Sequence, residues 1–162
     1  MQELKVKNII ISKQGKESAN YKRFLELVKE KKIRVHIAKI NEKIEIEKNI
    51  KIEILWPTDT LITNNILNNN SLVMKLTYNN FTTLFTKKKK KIAEEEIINK
   101  YQKTNKLNST IIKIAHHGSK TSSIQEFLNL VKPQIALIGV GENNNFGHPN
   151  SDVLKRIEDL RL

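Results

Sequence analysis

Apolar and polar positions follow two rhythms along this chain, and the places where one gives way to the other mark its elements. Residues 6–11 read as a buried strand with Asn8-Ile9-Ile10-Ile11 at its centre. Tyr21, Phe24, Leu25 and Val28 then recur at i, i+3, i+4 and i+7, the spacing of one helix face, with Ser18 or Asn20 available as the N-cap. Residues 33–38 form a second strand in which Val35 alternates with Arg34 and His36, so His36 reads as an ordinary strand residue on a half-exposed face. Strict alternation returns at residues 43–47 and 50–56. Lys48-Asn49 joins these into a hairpin with its isoleucines inward and its charges outward, and Trp56-Pro57 ends it. The asparagine-rich segment 63–70 reads as a surface loop, and residues 71–78 and 81–86 form another strand pair about Asn79-Asn80.

The later part of the chain switches between the two periods. Residues 92–101 are helical with their acidic residues near the start, and residues 109–115 are an apolar strand. Ile124, Phe127, Leu128 and Val131 make a helical stripe, preceded by Ser123 and Glu126 at capping-box spacing and ended by Pro133. Residues 134–140 are a buried strand, residues 141–150 a loop, and Val153, Leu154, Ile157 and Leu160 the apolar face of a last helix. Hairpins come first and β-α-β units last. That order predicts one α/β domain over residues 1–162, of α+β layered type with mixed sheets.

Composition narrows the chemistry. The chain has 162 residues, a formal net charge of +12 and no cysteine. Such charge favours acidic partners, nucleic acid first, although lysine is spread throughout and the five lysines at 87–91 read as a solvated run. Without thiolates, any metal must be held by histidine and carboxylate. No apolar run reaches the length of a membrane span and the first residues do not read as a signal, so the chain taken alone reads as soluble and cytoplasmic.

The chemistry concentrates where the strand at 109–115 stops at His116-His117-Gly118-Ser119-Lys120-Thr121-Ser122-Ser123. Two imidazoles and a glycine between a strand end and a helix start form a candidate site, because neutral imidazole ligates metals and a glycine admits a close substrate approach. Ser119, Lys120 and Thr121, as ordinary turn residues, need no function of their own.

These residues, with 69–76, Leu84-Phe85-Thr86, Lys132-Pro133 and Gly147-His148-Pro149, resemble the metallo-β-lactamase-fold domain of ComEC-type competence proteins, in order, from about Val6 to Leu162. The resemblance implies part of an αββα sandwich. It also implies a phosphodiester hydrolase linked to DNA uptake, using one or two divalent ions, zinc or manganese, to activate water. By the same resemblance His117 is the favoured metal ligand with His116 beside it, His148 contacts a phosphate oxygen or gives a proton to the leaving group, and Ser119, Lys120 and Thr121 supply hydroxyl and ammonium contacts to phosphate.

Two departures from the family pattern shape the expectation for this chain. The family's His-x-His-x-Asp-His cluster is absent, and where the family has Thr-Gly-Asp this chain has Thr86-Lys87-Lys88. Lysine cannot ligate a cation while charged. The chain is therefore expected to lack a complete metal site and to be inactive in isolation. It is also expected to need a chain or segment supplying the N-terminal half of the fold, and to be membrane-associated on the outer face if part of a ComEC-type protein. The alternative is a non-catalytic, basic nucleic-acid-binding remnant.

Overall fold

The computed structural model describes residues 5–13, 18–87 and 91–160. In chain order the elements are β1 (Asn8–Ile11), α1 (Ala19–Glu30), β2 (Arg34–Ile37), β3 (Lys43–Glu47), β4 (Ile50–Trp56), α2 (Ile66–Asn69), β5 (Val73–Tyr78) and β6 (Phe81–Phe85). They continue with α3 (Lys91–Tyr101), β7 (Ile111–Lys113), α4 (Gln125–Val131), β8 (Ile135–Leu137) and α5 (Ser151–Glu158). The architecture is α/β, layered and mixed. One sheet of six strands runs in the order β3-β4-β5-β6-β7-β8, and a second holds only β1 and β2.

Local chemistry explains the pairing. The meander β3 to β6 is antiparallel, and Asn79, at φ 52°, supplies the left-handed residue of the two-residue turn that sets Tyr78 opposite Phe81. Beyond β6 the connections are helices, and β6, β7 and β8 are accordingly parallel. The isoleucines of the first hairpin do not all face inward. Ile44 opposes Ile52, but a register shift between Glu45 and Glu47 leaves Ile46 half exposed.

The core lies between the six-stranded sheet and α3, α4 and α5. Leu55, Trp56, Val73, Leu84, Ile97, Ile112, Phe127, Leu128, Val131 and Val153 form its buried cluster. The stripe on α1 does not reach it: Ser18 caps this helix by accepting from the Tyr21 N–H at 3.1 Å, yet none of the helix residues is buried. Tyr21 and Phe24 instead line an open cleft of about 750 Å³ with Ile10, Ile11, Leu72 and Met74, and Lys87 and Lys113 stand at its wall.

Other expectations need correction as well. Residues 134–140 do not form a buried strand, because β8 spans only Ile135–Leu137 at the edge of the sheet and leaves Ile135 and Leu137 about half exposed. The asparagine-rich segment is not a plain surface loop, because it contains α2 and because Asn69 and Asn70 are fully buried. Asn70 accepts from the Ile62 N–H through Oδ1 at 2.9 Å and donates through Nδ2 to the Ile62 and Ile66 carbonyls at 2.7 and 2.8 Å. Trp56 donates its indole N–H to the Asn69 carbonyl at 2.7 Å, and Ser12 donates to that of Asn70 at 2.8 Å, which ties the end of β1 to the main sheet. Nor do Ser123 and Glu126 form a capping box. Ser123 is left-handed at φ 53°, whereas an N-cap needs the extended region, so Ile124 occupies the cap with no side-chain bond of its own.

Candidate functional site

The Ile114 N–H bonds the Leu137 carbonyl at 2.8 Å, and β7 then breaks into a short 3-10 turn over Ala115–Gly118. His116, His117 and Gly118 are all left-handed, at φ 49°, 56° and 79°. Two consecutive non-glycine residues in that region are strained, and strain persists only where the surroundings over-determine it.

Here the surroundings do so. The Ser122 hydroxyl donates to the Ala115 and Ser119 carbonyls at 3.0 and 2.9 Å. Glu94 of α3, 1% exposed, accepts from the Ser123 N–H at 2.7 Å and from the Ile124 N–H at 2.9 Å, which satisfies the two backbone amides that lead into α4. Arg156 of α5 donates to the carbonyls of Ser122 (3.0 Å), Ser123 (2.9 Å) and Lys120 (3.1 Å). A carboxylate thus holds the amides of the turn while a guanidinium holds its carbonyls.

The second motif is pinned against the first. The Asn150 N–H donates to the Gly118 carbonyl at 2.9 Å, and Asn150 also caps α5 by accepting from the Asp152 N–H. A Cβ on Gly118 would sit 2.7 Å from that of Pro149, so only glycine permits this approach. Asn144 organises the loop from within: Oδ1 accepts from the N–H groups of Phe146 (3.2 Å) and His148 (3.0 Å), and Nδ2 donates to the carbonyls of Gly141 and His148.

The histidines consequently divide. The rings of His116 and His148 lie edge to face with centroids 5.9 Å apart, and the buried Nδ1 of His148 has no hydrogen-bond partner among the described residues. His117 is exposed and turns to the Gly139 carbonyl, 2.6 Å from its Nδ1. A carbonyl can only accept, so that nitrogen carries the proton and Nε2 is the basic one in the neutral ring. Ser119 is buried with its hydroxyl 3.2 Å from that of Thr121, while Lys120 and Thr121 are exposed.

Among the described residues no group of three or more histidine or carboxylate side chains is placed to hold a metal ion. A catalytic ion needs about three protein ligands, so these residues do not by themselves fit one. Thr86, at the end of β6, bonds the Lys113 carbonyl through its hydroxyl, Lys87 is exposed, and Lys88 to Lys90 of the lysine run lie outside the described residues.

No family model matches the chain. Over 154 residues it is 27% identical to ComE operon protein 3 of Bacillus subtilis (strain 168), a match covering 95% of this chain and 19% of that protein. It is also 33% identical over 90 residues to Competence protein ComA of Neisseria gonorrhoeae, covering 56% of this chain and 13% of that one. The chain is similar to competence proteins. A further similarity, 27% over 103 residues, is to the uncharacterized protein YcaI of Escherichia coli (strain K12), 13% of whose length is covered. The chain thus spans about a fifth or less of the length of these relatives. No described helix is long and apolar enough to cross a membrane.

Sequence reasoning missed Glu94, Arg156, Asn144 and Phe146. Glu94 looks like its neighbours Glu95 and Glu96, Arg156 like any helix cation, and Asn144 stands inside a run of three asparagines. Only Phe146, a large apolar residue in a polar loop, carried a signal.

Proposed function

We propose that this chain is part of a metallo-β-lactamase-like domain of ComEC type that handles DNA during uptake, engaging the phosphodiester backbone along the His116–His148 edge. The supporting observation is the convergence of two motifs some thirty residues apart. The Gly118–Asn150 bond seats the histidine turn against the Gly-His-Pro loop, and the buried Nδ1 of His148 has no hydrogen-bond partner among the described residues. Two imidazoles, with the exposed Lys120 and Thr121 on the same turn, suit an anionic oxygen. The net charge of +12 draws a polyanion toward the chain.

Hydrolysis by the parent domain requires ligands beyond these. In this proposal a partner segment from the longer protein supplies them, bringing the zinc or manganese site and the attachment to the outer face of the membrane. In this proposal the chain alone binds DNA without cleaving it, in keeping with the lack of a metal-holding group among its described residues. Within that complex His148 stands where it can hold a phosphate oxygen or pass a proton to a departing one.

The test is binding of labelled DNA to the isolated chain in chelator, across a salt series. Affinity should fall steeply with salt, and His116→Ala or His148→Ala should weaken it by about 2- to 12-fold, the worth of one hydrogen bond. Absence of binding at low salt, or affinity indifferent to both histidines, would refute the proposal.

A further inference from the structure

Phe146 is the most exposed large apolar side chain among the described residues, at 81%. It stands beside the site, two residues before His148, and its ring stacks on that imidazole at a centroid distance of 6.0 Å and 26° between planes. The backbone that presents it is organised, since Asn144 accepts from its N–H and from that of His148. A large aromatic ring is thus held in water by a hydrogen-bonded loop, next to groups suited to phosphate.

We propose, resting on the DNA-handling reading above, that Phe146 is a stacking platform for a nucleobase of single-stranded DNA whose neighbouring phosphate lies at His116 and His148. Aromatic side chains that flank cationic sites bind single strands this way, because every base offers a π-face. In a duplex both faces of a base are already stacked, so the platform selects single strands. An acidic or purely apolar partner fits less well: the chain carries +12, and Glu142 is the sole acid between Gly139 and Asn150.

The experiment measures binding of the full chain to a labelled oligothymidylate, an abasic strand of equal length and a duplex, at several salt concentrations. The wild type should prefer the oligothymidylate to the abasic strand by about 5- to 160-fold, the range expected for one stacked base. Phe146→Ala should abolish that preference and leave the salt slope unchanged, while Phe146→Trp should keep the preference. Equal wild-type binding to the base-bearing and abasic strands would overturn the stacking role and leave the phosphate reading intact. Binding to none of the three at low salt would overturn both. Loss of self-association by Phe146→Ala in sedimentation, with DNA binding unchanged, would assign the ring to a contact between copies instead and overturn the proposal.

Discussion

Replacing Glu94 by alanine should damage this protein more than its place among three glutamates suggests. The carboxylate is 1% exposed and accepts two backbone N–H groups, Ser123 at 2.7 Å and Ile124 at 2.9 Å. Alanine leaves both amides buried without that acceptor. Each stranded donor costs roughly 1–3 kcal/mol, so the loss should be roughly 2–6 kcal/mol. For a chain of this size a loss of ~3 kcal/mol lowers the Tm by about 6–12 °C. Thermal and urea unfolding followed by circular dichroism measure the total, and hydrogen exchange at Ser123 and Ile124 locates it. Glu94→Gln keeps one acceptor oxygen and should lose about half as much. Glu95→Ala is the control: its carboxylate is half exposed, 3.7 Å from Lys91, and should be worth less than about 0.5 kcal/mol. If Glu94→Ala unfolds within 0.5 kcal/mol of wild type, with exchange at both amides unchanged, the clamp is wrongly described.

Two further predictions rest on the same geometry and on burial. Gly118→Ala places a Cβ 2.7 Å from that of Pro149 at φ 79°, and strain plus overlap should cost roughly 2–5 kcal/mol in urea unfolding; a neutral outcome would mean that the two motifs are not in contact. Burial, with a smaller contribution from the charge of Glu53, raises the Tyr101 phenol from 10.0 to about 12. The unfolded chain ionises this group at the lower value. Its contribution to stability is therefore whole below pH 10, is lost as pH climbs toward 12, and should vanish from the alkaline stability profile of Tyr101→Phe. In ultraviolet titration the wild type should show a tyrosine ionisation near pH 12 that Tyr101→Phe lacks, and an unchanged absorbance rise near pH 12 in the variant would contradict this.

The fold was legible wherever one rhythm of side chains decided it. Isoleucine alternation at 50–54 and the Asn79-Asn80 turn dictate β4 to β6, and the helical stripe of Phe127, Leu128 and Val131 places α4 on the core. The position of the histidine turn at the end of β7 was legible as well. What escaped depends on contacts distant in the chain. Glu94 accepts from backbone amides 29 and 30 positions away, and nothing local distinguishes it from Glu95. Ser123 has the right identity for a cap but a backbone angle that the turn imposes. Asn69 and Asn70 have the composition of a surface loop, yet their amides replace the hydrogen bonds that buried backbone would otherwise lose. The two histidines are adjacent, and only the three-dimensional turn sends His116 toward His148 and His117 toward Gly139.

The strictly sequential order of the six-stranded sheet bears on how the molecule is made. Each strand from β4 to β8 pairs with the one synthesised just before it, and none must be threaded between two already in place. Loop closure is short at the β3–β4 and β5–β6 turns, and helices span the longer connections between the other strands, so structure accumulates in chain order while the chain is still being translated. The scaffold therefore emerges from the ribosome ahead of its chemistry. His116 follows the seventh strand and His148 the eighth, so the two rings meet only when the last sixth of the chain, with Arg156 on α5, has arrived to hold them.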